Sequence, residues 1–170
     1  MTRAEMTEIF AVLMLAYPNA EMFKAQSQQA LKEKLAPTIT LWTTCLPDVD
    51  FWTAQKAVVK LCQTCKFPPT IAEMREASDG VLREMKSEIQ SAYLQARSAV
   101  HLFGDNLEKA YASLPTRSRK VIDAMGGMQK FIPDDAKMFD MFGFERTYER
   151  LMRQNPAGLP GETGGQKRLT

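Results

Sequence analysis

Lys66-Phe67-Pro68-Pro69-Thr70-Ile71-Ala72-Glu73 is the stretch that organises this chain. Two consecutive prolines have a fixed φ and no N–H donor, so they force an extended corner and forbid a helix through it. Thr70 and Glu73 follow at once in T-x-x-E spacing. The threonine hydroxyl can accept from the N–H three residues on while the glutamate reaches back to the threonine N–H, so a helix is predicted to start there. Reading outward in both directions finds helical periods and no sustained alternation of period two, which predicts an all-α fold.

Upstream, Phe51, Trp52, Ala54, Val58, Leu61 and Cys62 mark a helix, with Leu46-Pro47-Asp48 as the preceding stop and fresh cap. Ile39, Leu41, Trp42, Cys45 and Leu46 hold another helical period behind Pro37, which is predicted to open that helix as its first residue. A separate helix is predicted over 21–35, with Met22, Leu31 and Leu35 as its apolar marks and a polar face (Ser27 included) that carries no signal. At the start of the chain Thr2 and Glu5 form a further capping box. Met6, Ile9, Phe10, Leu13, Met14 and Tyr17 then recur at steps of three and four until Pro18 ends the run.

Downstream, a long helix is predicted from Ser78 or Asp79, held by Val81, Met85, Ile89, Tyr93, Ala96, Val100 and Phe103 and ended at Gly104-Asp105-Asn106. A short helix over 107–114 follows, then the break Leu114-Pro115-Thr116 and another short helix closed by Gly126-Gly127. A final helix is predicted over 134–154, with Asp134 and Asp135 as acids at its N-terminus. The sixteen residues 155–170 hold four Gly and two Pro and are predicted to be disordered. The expected architecture is a compact N-terminal helical bundle at 1–78, a long helix with a basic and aromatic helical arm at 79–154, and a disordered tail at 155–170.

The 170 residues are enough to bury a core without disulfides or metal. The net charge of +2 hides an asymmetry: residues 1–80 carry eight Lys+Arg and nine Asp+Glu, residues 81–170 fourteen and eleven. No run approaches the roughly 18 apolar residues of a membrane helix. Glu5 and Glu8 interrupt any signal-peptide layout, so a cytoplasmic protein with reduced thiols and no membrane partner is expected.

Candidate chemistry is sparse. Cys62-Gln63-Thr64-Cys65, with Cys45 and the single histidine His101, could in principle supply a Cys₃His zinc site. The C-x-x-C falls at a helix C-terminus, where the dipole disfavours a thiolate, and it has no second C-x-x-C. Buried structural thiols are the stronger reading, and no metal is expected. Gly165 is followed by Gln166 where a P-loop needs Lys, and no strand precedes it, so no nucleotide or other cofactor is expected. No nucleophile–base pair stands out, and the chain is not expected to be an enzyme.

Two features point to binding. Arg117, Arg119 and Lys120 cluster just after Pro115. Phe131, Met138, Phe139, Met141, Phe142, Phe144 and Tyr148 crowd into eighteen residues. A stripe this apolar buries itself in its own domain or docks into a partner groove.

Three elements together resemble a known family. Ala16-Tyr17-Pro18, the segment Leu41-Trp42 to Leu46-Pro47-Asp48, and Phe67-Pro68-Pro69-Thr70 through Glu73 have the order and spacing of the phage replicative-helicase loader/inhibitor family. The likeness covers about residues 1–78, with 67–73 its most specific part. It implies a non-enzymatic, non-ATPase adaptor in the bacterial host cytoplasm. Such a protein binds a hexameric DnaB-type replicative helicase, holds it inactive and brings it to an origin-bound initiator protein. It also implies that the C-terminal arm grips the helicase, for which Arg117, Arg119, Lys120, Phe131, Phe139, Phe142, Phe144 and Tyr148 are the candidates. Two competing expectations are a replisome organiser that binds DNA directly and a virion or packaging component. The modest basic charge predicts that any direct DNA contact is weak.

Overall fold

The computed structural model describes residues 1–131 and 141–154. Phe139, the first part of the helix expected over 134–154, and the tail 155–170 with its expected disorder lie outside the described residues. The fold is all-α: the described residues hold α1 (Arg3–Ala16), α2 (Gln28–Cys45), α3 (Phe51–Thr64), α4 (Ile71–Phe103), α5 (Leu107–Ala112), α6 (Thr116–Ala124) and α7 (Met141–Gln154), with short 3-10 turns at Glu21–Phe23 and Met128–Phe131. The chain divides into two compact units, Met1–Met85 and Lys86–Thr170.

In the first unit α1 packs on α2 and α3. Its buried face, Met6, Ile9, Phe10 and Leu13, follows the sequence period. That face meets Leu35, Ile39 and Trp42 of α2 and Ala54, Val58 and Leu61 of α3, with Met74 and Val81 of α4 completing the core. Phe10 and Trp42 meet edge to face, with ring centroids 5.1 Å apart. Such a pair adds about 0.5–1.5 kcal/mol beyond the area it buries.

Both capping boxes form. Thr2 Oγ1 accepts from the Glu5 N–H at 3.2 Å, and Glu5 Oε2 accepts from the Thr2 N–H at 2.7 Å. Thr70 Oγ1 accepts from the Glu73 N–H at 3.3 Å, and the return bond is 2.7 Å.

Four local expectations are corrected. Residues 21–35 are not one helix: a 3-10 turn precedes Ser27, whose hydroxyl accepts from the Ala30 N–H at 3.1 Å and caps α2. Pro37 does not open a helix but lies inside α2. Proline removes one i→i−4 bond; here Pro37 and Glu33, whose carbonyl loses that bond, are both exposed, while Leu35, Ile39 and Trp42 bury the opposite face and carry the helix through. The cap of α3 is Asp50, not Asp48: Asp50 Oδ1 accepts from the Thr53 N–H at 3.1 Å. Asp48 instead takes two 3.0 Å hydrogen bonds from the Arg75 guanidinium. Finally, no new helix begins at Ser78 or Asp79, since α4 runs unbroken from Ile71 to Phe103. Ser78 satisfies its buried hydroxyl by donating to the Met74 carbonyl at 2.7 Å.

In the second unit α6 packs on α7. Tyr93, Ala96 and Val100 of α4 are buried there with Leu114, Val121, Ile122, Met128, Phe131, Phe144 and Tyr148. Gly104, at φ +53°, ends α4, and Gly126 and Gly127, at φ +99° and +98°, end α6. At these angles a Cβ is strained, so the sequence uses glycine at both stops.

Candidate partner-binding surfaces

The proline corner is built for structure on one side and exposure on the other. Pro69 is buried and Pro68 half-buried, while Phe67 is 71% exposed. The Lys66 ammonium lies 5.7 Å from the Phe67 ring centroid. Nearby, the Tyr17 hydroxyl donates to the Cys65 carbonyl at 3.1 Å, tying the end of α1 to the end of α3. Pro18, exposed, follows the close of α1. Arg75 adds a further tie, donating to the Cys45 carbonyl at 2.6 Å while it grips Asp48. Tyr17, Trp42, Pro69, Thr70 and Glu73 are therefore positioned as framework, and Phe67 as surface.

Cys45, Cys62 and Cys65 are free thiols and half-buried, not fully buried as expected. Burial pushes the Cys62 thiol up from its ordinary value. Among the described residues no three His, Cys, Asp or Glu side chains converge as a metal site. His101 is exposed on the last turn of α4.

The second unit is organised around Glu88. Its carboxylate pairs with the Arg117 guanidinium and accepts from the Tyr148 hydroxyl at 2.9 Å. One acceptor on α4 thus holds side chains from α6 and α7. Burial, then the Glu88 carboxylate, pushes the Tyr148 phenol well above its ordinary value. Around it Phe144 lies 5.8 Å from Tyr93, 6.0 Å from Phe131 and 5.8 Å from Tyr148, centroid to centroid.

The aromatic candidates separate on this geometry. Phe131, Phe144 and Tyr148 are 3%, 0% and 2% exposed and form the core of the second unit. Phe142 is 75% exposed on α7. The basic candidates separate too. Arg117 is engaged with Glu88, and Arg119 lies over the Tyr111 ring at 5.9 Å. Lys120 is exposed. The three charges thus do not form one outward patch for a phosphate backbone. Glu88 was missed as an organiser because nothing local marks it: its partners lie 29 and 60 residues away. Among the described residues no helix is long and apolar enough to cross a membrane.

A protein-family model for the N-terminal domain of a phage helicase loader/inhibitor matches residues 1–75. Over those residues the chain is similar to the phage helicase loader/inhibitor family. The loader-type segment takes in α1, α2, α3 and the first turn of α4, and it includes every element on which the sequence likeness rested. No curated protein and no solved structure matches the chain. The second unit lies beyond the matched segment.

Proposed function

We propose that this protein binds a DnaB-type hexameric replicative helicase, holds it inactive, and hands it over at an origin when an origin-bound initiator competes for it. The match of residues 1–75 to the loader/inhibitor N-terminal domain carries this reading. The domain organisation proposed with it is a family-type helical domain followed by a helical arm that grips the helicase. The mechanism is population control: an adaptor inhibits by preferring a helicase conformation that cannot translocate. Turning a ring from 99% active to 1% active requires about 10⁴-fold tighter binding to the inactive form, about 5.5 kcal/mol. Several copies on one ring can share that preference.

The arm contributes through its surface and not through its aromatic core. Phe142 and Lys120 are available, whereas Phe131, Phe144 and Tyr148 are occupied in packing and Arg117 in an ion pair. The test uses the full chain with purified host-encoded and phage-encoded DnaB-type hexamers. Comigration in gel filtration, with loss of ATP-driven unwinding as the chain is added, is the expected result. A chain that comigrates with no hexamer and leaves unwinding untouched would sink the reading.

A further inference from the structure

The helix α7 has two unlike faces. Phe144 and Tyr148 are buried on one. On the other, Phe142, Arg146 and Arg150 are all exposed, and exposed Arg153 continues the line. At about 100° per residue the spacing i, i+4, i+8 keeps the first three within about 80° of arc, rising about 6 Å per step. The result is a row slanting gently around the helix, with an exposed aromatic ring at its N-terminal end and guanidinium groups behind it. The Arg146 Nε donates to the Phe142 carbonyl at 3.4 Å, which anchors the second member of the row to the first.

From this row we infer a docking ridge for an acidic protein surface: a shallow apolar notch for Phe142 with carboxylates aligned beyond it for Arg146 and Arg150. The inference rests on the helicase reading and places its acidic counterpart on the helicase. Aromatic rings and arginines are the side chains that most often dominate interfaces, and arginine pairs with carboxylates through a two-pronged, oriented contact. A nucleic-acid backbone fits less well. Half-buried Glu145 and Glu149 run alongside the row, one turn apart. A phosphate chain is negative along its whole length and would be repelled by them. Discrete carboxylates on a protein can be set opposite the arginines and away from the glutamates. Two or three charges also release too few counterions for strong duplex binding.

The full chain is titrated by fluorescence anisotropy against the purified DnaB-type hexamers, and separately against single-stranded oligonucleotide. The variants are Phe142→Ala, the double reversal Arg146→Glu with Arg150→Glu, and Lys109→Glu as an exposed charge elsewhere. The first two are expected to weaken helicase binding roughly ten- to hundredfold, while Lys109→Glu binds as the parent. Since the altered side chains are exposed, circular dichroism and melting are expected to stay unchanged. Equal binding by parent and double reversal overturns the ridge while leaving the helicase reading standing. A parent chain that binds no hexamer overturns both. Loss of oligonucleotide binding with helicase binding intact overturns the acidic-protein partner.

Discussion

Among the described residues, Glu88 ties α4 to α6 and α7 through polar contacts. Removing it takes away the acceptor of the Tyr148 hydroxyl. An unsatisfied buried donor costs about 1–3 kcal/mol. Glu88→Ala is therefore expected to lower unfolding free energy by that amount in urea. Glu88→Gln keeps an acceptor for Tyr148 and is expected to cost roughly half as much or less. Equal losses for the two would show that the charge, not the hydrogen bond, is what matters. A second expectation concerns pH. Hydrogen bonds from Thr2 and Thr70 hold the Glu5 and Glu73 carboxyls below their ordinary value of 4.5, and the Arg75 guanidinium does the same for Asp48. A lowered folded pKa gives stability that is present above the unfolded value and lost as pH falls through the folded one. Melting temperature is thus expected to drop as pH goes from about 6 toward about 3, and more shallowly in Glu73→Gln, as differential scanning fluorimetry would read. Tyr148 works in the opposite sense. Its raised phenol favours the fold below the ordinary tyrosine value of 10.0, and that contribution is lost as pH climbs above it.

Among the elements, α2 and α4 each keep a residue that a helix would shed. Pro37 sits inside α2 and Gly80 inside α4, where a Cβ on Gly80 would meet nothing within 4 Å. Gly80→Ala is expected to stabilise by about 0.5–1 kcal/mol, because it removes backbone freedom from the unfolded chain at no steric cost. Pro37→Ala restores a hydrogen bond and is expected to stabilise also, less than the roughly 3 kcal/mol helix cost of proline because proline stiffens the unfolded chain. Chemical denaturation reads both, and destabilisation by either would mean that the residue is needed for a local bend. The same elements show what the sequence could reveal. The capping boxes at Thr2 and Thr70, the period of α1 and the glycine stops at Gly104 and Gly126 are local rules, and each was readable from a few neighbouring residues. Pro37 was misread because tertiary burial of Leu35, Ile39 and Trp42 outweighed a local veto. Ser27 was overlooked because its N3 partner is Ala30, so the reciprocal half of a capping box is missing. Asp48 reads as the cap in the sequence because Arg75, the residue that claims it, lies 27 residues away. The candidate arm was legible as a collection of residue types but not as a surface. Burial of Phe144 and exposure of Phe142 depend on how α7 is turned against the rest of its unit.

At the scale of the molecule, the first compact unit reaches Met85, past the sequence-based boundary at 78. Val81 belongs to its core and Lys60 pairs with Glu84. A fragment ending at residue 90 is therefore expected to unfold at higher urea than one ending at 78, by roughly 1.5–3 kcal/mol for the buried valine alone. Indistinguishable midpoints would return the boundary to 78. The slightly acidic balance of residues 1–80 and the basic balance of 81–170 change over close to the point where the two compact units divide. Of the second half's charges, Arg117 is used internally, while Arg146 and Arg150 remain at the surface.

The contact between Tyr93 and Phe144 also sets a schedule. On the ribosome a chain grows at about 5–20 residues per second, N-terminus first. The core of the first unit needs nothing beyond Val81, so its side chains are together early in synthesis. Tyr93 on α4 must wait for Phe144, about fifty residues later, which is roughly 3–10 seconds of translation. During that interval the nascent chain presents an incompletely covered apolar helix face, the kind of surface that invites a chaperone or a neighbouring chain. Among the described residues, the last helix to be made is the one that closes it.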